Sequence, residues 1–297
     1  MDSMRRLLVG LTLFTAAAAR SDVRPSDREE LLAADRALAR ATEIAGLMEG
    51  FLPALTDNAA YLHPGAPLLR GRSKIRSFLE TVAPLAGLTW APAYADISSD
   101  GTLGYTYGWT RYGANQGKYL ACWRKSRDGD WRVAAYVRTT PVPVADSLGL
   151  PELRDTEPAA AVRGRADQKE LLRADSAFAA MSVTSGVKTA FLAFSAVEAV
   201  SFGSGTHINE GREAIGASFE TFPADAVLEW KPVAAEVARS GDLGCTVGEA
   251  SITSRHYYSK YLTIWKRQAD GSWKFVADGG NVRPAPEVAS DTPPPED

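Results

Sequence analysis

The sequence predicts an α+β fold that is built twice, as two tandem domains with helices first and antiparallel strands after. Three observations carry this prediction. The length of 297 residues suits about two domains. The chain matches itself at an offset of 140 residues, which becomes 142 in the later part. Within each copy, helical spacing of apolar residues gives way to the two-residue alternation of strands.

The internal repeat is clearest near its end, where KYLACWRKSRDGDWRV, from Lys118, recurs as KYLTIWKRQADGSWKF, from Lys260. Upstream, the match continues in order with one small insertion or deletion. The repeated unit of about 110 residues is too long for a solenoid repeat, so it indicates a duplicated domain. The matched residues farther upstream include Gly71-Arg72 with Gly211-Arg212 and Trp90 with Trp230.

Each copy opens with a predicted helix. Ser26 and Glu29 have the spacing of a capping box, and Asp167 and Glu170 repeat it in the second copy. Two shorter helical stretches follow in the first copy, at residues 47–55 and 73–81, which makes three helices for each domain.

From residue 88 onward the pattern changes to strands, at residues 88–98, 103–111, 118–127 and 131–139. Asp128-Gly129 predicts a tight hairpin between the last two, and Asp270-Gly271 repeats it. Helices followed by antiparallel strands predict helices on one face of a sheet. We therefore expect domains at residues 26–141 and 166–284, a proline-containing linker at 142–165 and a disordered, proline-rich acidic tail at 285–297.

The first 19 residues predict a signal peptide, because two arginines precede a thirteen-residue apolar run that ends in a row of alanines. The run is too short for a helix that spans a membrane, which needs roughly 20 residues. We expect cleavage after Ala19 and a periplasmic or secreted protein. The alternative is an uncleaved N-terminal helix.

The composition excludes several classes of function. A net charge of -3 without a dense basic block argues against a nucleic-acid partner. The three histidines lack metal-ligand spacing, and phosphate-binding and dinucleotide-binding motifs are absent, so we expect no metal and no cofactor. Cys122 and Cys245 stand at non-equivalent places in the two copies, and we expect two free, buried thiols. The alternative is that an exported protein pairs them, which depends on a Cα separation that the sequence does not give.

The repeated motifs resemble those of the nuclear-transport-factor-2-like superfamily, which includes ketosteroid isomerases and SnoaL-like proteins, and especially its "domain of unknown function 4440" branch. The resemblance implies a cone, in which a curved antiparallel sheet closes over three helices around an apolar pocket. It also implies that the two copies could form an internal pseudo-dimer or that the chain could form a homo-oligomer. The residues that carry it are Gly71-Arg72, Leu88-Thr89-Trp90, Pro92, Gly101, Leu103-Gly104, Gly117-Lys118-Tyr119, Trp123-Arg124-Lys125, Asp128-Gly129 and Trp131.

Positions that are the same in both copies favour a role in the scaffold. Asp35 and its counterpart Asp175 fall near the apolar face of the opening helix, where a carboxylate needs hydrogen-bond partners. They either tie the helix to the sheet or act as an acid or base.

Positions that differ between the copies are where we expect function. Tyr105, Tyr107 and Trp109 alternate onto one strand face, whereas the second copy has Glu249 in place of Trp109. This aromatic face either lines a ligand pocket, forms an interface or belongs to the core.

The candidate catalytic residues are His63, which has Gly203 opposite it, and Asp278, which has Tyr136 opposite it. Histidine titrates near neutral pH, and a carboxylate in an apolar cone can hold a raised pKa. Arg138 could instead bind an anionic ligand. The candidate ligand-binding residues are Tyr61, Tyr105, Tyr107, Trp109, Tyr136, Arg138, Glu249 and Asn281.

The function that the sequence favours is binding of a small apolar or amphipathic ligand in one or both domains. The alternatives are a cofactor-independent isomerase, cyclase or dehydratase that uses His63 or Asp278 as base and Tyr61, Tyr107 or Tyr136 as proton donor, and an interaction protein with vestigial pockets. The three differ in what the cones should contain. An enzyme needs an acid or base with a shifted pKa in an open cone, a binding protein needs only the open cone, and an interaction protein has filled cones.

Overall fold

The computed structural model describes residues 25–144, 161–203 and 205–286. Within them the predicted α+β fold with two domains is confirmed. The predicted signal peptide, most of the predicted linker and nearly all of the predicted tail lie outside the described residues. Over the described ranges, no helix combines the length and the apolar character needed to cross a membrane.

The first domain begins with a long helix and a short irregular helical segment, and a second helix follows after two strands. The helices are α1 (Pro25–Gly46) and α2 (Arg72–Leu79), with a π-helical turn at Leu47–Phe51 and a 3₁₀ turn at Leu52–Ala54. The strands are β1 (Leu55–Leu62), β2 (Leu69–Arg70), β3 (Thr89–Ile97), β4 (Leu103–Tyr112), β5 (Asn115–Lys125), β6 (Trp131–Arg138) and β7 (Val142–Pro143).

The second domain repeats this order without a counterpart of β7 among the described residues. Its helices are α3 (Gln168–Ser185), α4 (Val187–Phe194) and α5 (Arg212–Ala217), and a 3₁₀ turn covers Thr253–Arg255. Its strands are β8 (Ser195–Phe202), β9 (Ile208–Glu210), β10 (Glu229–Val237), β11 (Leu243–Ile252), β12 (Tyr257–Arg267) and β13 (Trp273–Val282).

Both sheets have the same topology. The strand order is β2-β1-β6-β5-β4-β3 in the first, with β7 on β5, and β10-β11-β12-β13-β8-β9 in the second. The four predicted strands after residue 88 are antiparallel neighbours as expected. The sequence did not predict β1 and β8, which pair in parallel with β6 and β13. In β1 the turn-forming pair Asp57-Asn58 interrupts the strand pattern, which hides the strand.

Asp35 and Asp175 tie the opening helix of each domain to its sheet. Asp35 accepts hydrogen bonds from Trp90 Nε1 at 2.6 Å and from the Tyr119 hydroxyl at 2.5 Å. The equivalent bonds in the second domain, from Trp230 and Tyr261 to Asp175, measure 2.9 and 3.0 Å. Of the two roles left open by the sequence, the structure shows the structural one in both copies.

The outer faces of the two sheets pack against each other, with β4, β5 and β6 facing β11, β12 and β13. Two equivalent ion pairs cross this seam. Lys266 Nζ lies 2.5 Å from Asp96, and Arg124 Nη2 lies 2.5 Å from Glu236. Because Arg124 and Lys266 are equivalent positions, as are Asp96 and Glu236, the domains exchange contacts as the subunits of a twofold dimer do.

A disulfide joins Cys122 of β5 to Cys245 of β11 across the seam, with the Cα atoms 6.6 Å apart. The prediction of two free thiols was therefore wrong. The two cysteines are not equivalent in the repeat, but packing of the outer faces brings both to the same place. Their Cα separation lies within the range that a disulfide can bridge.

Candidate functional site

A cavity of about 370 Å³ lies inside the second domain, between its helices and the inner face of its sheet. We call the space enclosed in this way in each domain its cone. About half of the residues in the cavity wall are aromatic, and Tyr257, which is 42% exposed, stands at the side that opens to solvent. The aromatic wall consists of Phe178, Phe191, Phe202, Phe219, Phe222, Trp230, Tyr257 and Tyr261. A concave, mainly apolar space of this size is typical of a small-molecule site.

Asp278 is the carboxylate in the lining of this cavity. It lies on β13 opposite Thr263 of β12, whose hydroxyl donates a hydrogen bond of 2.5 Å to Oδ1. Burial raises the pKa of the Asp278 carboxyl to about 7, and the nearby charge of Asp175 adds to the increase, against the opposing effect of the Thr263 hydrogen bond. The carboxyl can therefore exchange a proton near neutral pH.

Four equivalent positions differ in side-chain size between the two domains, and two of them, Asp278 and Gly280, line this cavity. Ser201 on β8 pairs with Asp278 on β13, and Gly203 and Gly280 lie two residues farther along. Side chains two residues apart on a strand point to the same face. We call such a set of four positions the inner quartet. In the first domain it consists of Tyr61, His63, Tyr136 and Arg138, with Tyr61 paired to Tyr136.

The inner quartet of the first domain fills its cone with large side chains. The ring of Tyr136 lies 4.9 Å from that of Phe51, 5.9 Å from Trp90 and 5.8 Å from Tyr119, measured between centroids. Tyr61 is 0% exposed and packs 6.2 Å from Tyr136. The predicted ligand-binding residues Tyr61 and Tyr136 are thus part of an aromatic core.

His63 and Arg138 contact each other in this first cone. The Nδ1–H group of His63 donates to the carbonyl of Pro64 at 2.9 Å, so Nε2 accepts from Arg138 Nη2 at 3.1 Å. Burial and the charge of Arg138 lower the pKa of His63 to about 4. A histidine with a pKa this far below 7 is a weak general base at neutral pH.

Tyr105, Tyr107 and Trp109 lie in the seam between the domains, which is one of the places that the sequence left open. All three are buried. Trp109 Nε1 donates to the carbonyl of Thr206 at 3.1 Å, and the Tyr107 ring packs edge-on at 6.1 Å against Phe202. They hold the second domain rather than line its cavity, because they project from the outer face of their sheet.

Glu249 and Asn281 lie at the edge of the same seam. Glu249 is 3.5 Å from Arg283, outside the cavity lining. The side-chain amide of Asn281, in contrast, belongs to the lining and donates to the carbonyls of Leu62 and Arg138 at 2.6 and 2.7 Å. Asn281 therefore connects the wall of the open cone to the backbone of the filled one.

The sequence prediction missed Ser201, Thr263 and the aromatic wall of the cavity. The repeat could have identified Ser201. This small residue stands opposite Tyr61 at the offset of 140, so the side-chain volume at this position is much lower in the second copy. Thr263 stands opposite Ala121 at the offset of 142. Among the described residues, no group of three or more His, Cys, Asp and Glu side chains could hold a metal ion.

A second cavity, of about 460 Å³, lies in the seam rather than in a cone. Small side chains such as Ala60, Ala135 and Ala234 leave this space, and Glu236 in its wall is held by the ion pair with Arg124. The cone of the second domain combines an aromatic wall with a carboxyl of raised pKa, so it is the candidate functional site.

Comparisons with known proteins give similar folds at low identity. No protein-family model matches the chain, and no curated protein matches it. An NTF2-like protein from Pseudomonas putida is 14% identical with a TM-score of 0.33, and the match covers 38% of this chain and 84% of that one. An NTF2-like protein with a cystatin-like fold from Novosphingobium aromaticivorans is 16% identical, with a TM-score of 0.32 and coverage of 41% and 83%.

A ketosteroid isomerase-like protein from Erwinia carotovora atroseptica is 16% identical, with a TM-score of 0.32 and coverage of 39% of this chain and 95% of that one. The structural neighbours are thus NTF2-like and ketosteroid isomerase-like proteins. Identities and TM-scores of this size do not transfer an activity to this chain.

Proposed function

We propose that the second domain binds a small, largely apolar molecule in its cone, with one polar group of the molecule at Asp278. The observation that carries the proposal is the cavity of about 370 Å³, which has an aromatic wall and a carboxyl in its lining. The first domain supplies no comparable space, because Tyr61 and Tyr136 fill its cone. It serves as the scaffold that holds the second domain through the seam.

The polar group of the ligand follows from the state of Asp278. Near pH 7 the carboxyl is divided between its protonated and ionised forms, because its pKa is raised to about 7. It can therefore donate a hydrogen bond to a carbonyl or accept one from a hydroxyl. A molecule with a flat apolar body and one carbonyl or hydroxyl group suits this arrangement.

The test is a fluorescence titration with N-phenyl-1-naphthylamine, a neutral apolar probe that becomes brighter in apolar sites. We expect saturable binding to the unmodified protein and its loss in Asp278→Tyr, which places in the second cone the residue that fills the first. Tyr136→Phe is the matched control at the equivalent position and should bind as the unmodified protein does. Undiminished binding by Asp278→Tyr would rule out this site.

A second candidate function is proton transfer by Asp278, as in a cofactor-independent isomerase. The specific observation is a carboxyl with a pKa of about 7 in an apolar cavity, which suits a general base at neutral pH. In a β,γ-unsaturated ketone, such a base would take a proton from the carbon beside the carbonyl and return it to the γ carbon. The double bond then becomes conjugated, and no cofactor is consumed.

Deuterium incorporation into a set of β,γ-unsaturated ketones in D₂O tests this activity. We expect protein-dependent isomerisation with an apparent pKa near 7 and its loss in Asp278→Asn, which should still bind the probe. Equal rates for Asp278→Asn and the unmodified protein would leave binding as the function of the cone.

We propose further that the protein belongs to the nuclear-transport-factor-2-like superfamily, near the "domain of unknown function 4440" branch, and that it is exported with cleavage after Ala19. The motifs quoted from the sequence support the family, and the disulfide between Cys122 and Cys245 supports export, since disulfides persist in oxidising compartments. N-terminal sequencing of protein recovered from periplasm or medium should begin at Arg20. Recovery of intact Met1 would refute cleavage.

A further inference from the structure

The cavity of about 460 Å³ in the seam has a wall that comes from both domains, and we call it the seam cavity. Cys245 of the disulfide and several small apolar side chains form its floor. These apolar side chains include Ala60, Ala134 and Ala135 of the first domain and Ala234, Ala235 and Val247 of the second. A molecule in the seam cavity would therefore contact both domains at once.

The equivalent place in the other half of the seam holds three tyrosines. They are Tyr94, Tyr105 and Tyr107, and all three are buried. The ring of Tyr94 lies 5.8 Å from that of Tyr105 and 5.4 Å from that of Tyr107, measured between centroids. At the offset of 140, the smaller residues that take their positions in the second domain are Ala234, Cys245 and Val247. The seam cavity thus lies where the other half of the seam has phenol rings, and its floor is apolar.

The seam cavity can be reached from solvent. Val233 in its wall is 42% exposed. The side chains of the ion pair between Arg124 and Glu236, the second of which lines the cavity, are 29% and 33% exposed. The equivalent pair in the other half, Lys266 and Asp96, is only 4% and 3% exposed. A small molecule could therefore enter this half of the seam and not the other.

The polar groups in the wall favour an anionic ligand. The charge of Glu236 is balanced by Arg124, whose Nη2 lies 2.5 Å from it. Arg70 on β2 also lines the cavity, and among the described residues no Asp or Glu forms an ion pair with it. The side-chain amides of Asn58 and Gln168 add donors that carry no charge. The wall therefore has one positive charge without a counter-charge.

We propose that the seam cavity binds a small aromatic carboxylate, with its ring on the apolar floor and its carboxylate at Arg70. A guanidinium can donate two parallel hydrogen bonds to a carboxylate, which fixes the orientation of the acid as well as its charge. The ring would lie against the alanines of both sheets, in a place equivalent to that of the tyrosine rings in the other half. This site uses the outer faces of the sheets, so it is separate from the cone of the second domain and from the ligand proposed for it.

The test is isothermal titration calorimetry with sodium benzoate at pH 7.5, with benzamide as the uncharged molecule of the same shape. We expect saturable binding of one benzoate for each chain and binding of benzamide that is about tenfold weaker. Arg70→Gln should weaken benzoate binding about tenfold, and Val247→Tyr, which introduces the residue of the filled half, should abolish it. Arg127→Gln is the matched control, because Arg127 is also exposed in the first domain but lies outside the cavity wall.

Absence of benzoate binding, or equal affinity for benzoate and benzamide, would overturn the proposal. If Val247→Tyr does not fold, Arg70→Gln decides, since replacing an exposed side chain leaves the core intact. Benzoate should leave N-phenyl-1-naphthylamine bound in the cone. Displacement of this probe by benzoate, with unchanged benzoate affinity in Arg70→Gln, would place the acid in the cone and contradict a site in the seam. Failure of the probe alone to bind would count against the cone and not against the seam cavity.

Discussion

The two cones of this molecule have the same topology and the same carboxylate tie, yet one is filled and the other is open. The first quartet, Tyr61, His63, Tyr136 and Arg138, consists of large side chains. The second, Ser201, Gly203, Asp278 and Gly280, is small and carries a carboxyl. Asp278 and Gly280 line a cavity of about 370 Å³, whereas Tyr136 and Arg138 at the equivalent positions are buried in the first domain.

The two domains share their scaffold and differ in the contents of their cones. In both, a buried aspartate, Asp35 or Asp175, ties the opening helix to the sheet. On the outer face of the first sheet, Tyr107 packs against Phe202 at the end of β8, and Trp109 donates to the carbonyl of Thr206 in the loop that follows. The first domain therefore supports a site that only the second can form.

The largest expected effect comes from truncating equivalent residues in the two quartets. Tyr136→Ala should destabilise the protein by about 3–5 kcal/mol, because it leaves a cavity in a packed aromatic core. Asp278→Ala should be neutral or stabilising, since it removes a desolvated carboxyl next to existing space. Urea unfolding of both variants measures the difference. Equal losses of stability would show that the two cones are packed alike.

Removal of the disulfide should cause the second-largest loss of stability. Replacing Cys122 and Cys245 by alanine should lower stability by about 2–5 kcal/mol, because the bond closes a loop of 123 residues across the seam. Probe binding under native conditions should persist, since the disulfide lies outside the open cone. Dithiothreitol should destabilise the unmodified protein and leave the double variant unchanged. Loss of probe binding in the folded double variant would mean that the seam shapes the cavity directly.

The ionisation of Asp278 should make stability depend on pH. Its pKa rises from 3.8 to about 7 on folding, so the folded protein keeps a proton between these values that the unfolded chain has lost. The resulting stabilisation is present below pH 3.8 and lost as pH rises to 7. The full shift corresponds to roughly 4 kcal/mol, and water in the open cavity should reduce it to about 2 kcal/mol.

The check is the difference in unfolding free energy between the unmodified protein and Asp278→Asn from pH 4 to pH 8, which cancels other titrating groups. A difference that stays constant over this range would show that Asp278 is solvated rather than enclosed in the cone.

The smallest effect is expected at His63 and has the opposite sign. Its pKa falls from 6.5 to about 4 on folding, so the unfolded chain takes up a proton first as the pH decreases. Stability is full above pH 6.5 and should decrease by about 1–2 kcal/mol toward pH 4, after allowance for partial exposure. His63→Gln, which keeps an acceptor for Arg138, should remove this decrease. An NMR titration midpoint of His63 near 6.5 would contradict its burial beside Arg138.

The fold could be predicted from the sequence because the internal repeat aligns the hairpins of the two copies. The four strands after residue 88, the Asp-Gly turns and the comparison of Asp278 with Tyr136 all follow from that alignment. The strands β1 and β8 were missed, since they follow a helical segment directly and the polar pair Asp57-Asn58 breaks the pattern in β1. Two residues of each inner quartet lie on or beside β1 and β8. Sequence comparison therefore identified Asp278 but not the residues that lie next to it on β8.

The seam was beyond sequence reasoning for a different reason. The two-residue alternation of the strand shows that Tyr105, Tyr107 and Trp109 lie on one face of the sheet. It does not show which face, because the side chains on the inner and the outer face both recur every two residues. Which face encloses the cone depends on the helices packed against it. The same ambiguity led to the wrong prediction for Cys122 and Cys245, whose meeting depends on how the two outer faces pack.

The central claim is that the second cone is the open, ligand-binding one and that the first is filled. The most direct measurement is an NMR titration of backbone amides with N-phenyl-1-naphthylamine. We expect saturable shifts in the second domain around Thr263, Asp278 and Phe219, with the amides of Tyr61 and Tyr136 unchanged. Shifts centred on the first cone, or on the seam around Tyr107, would contradict it.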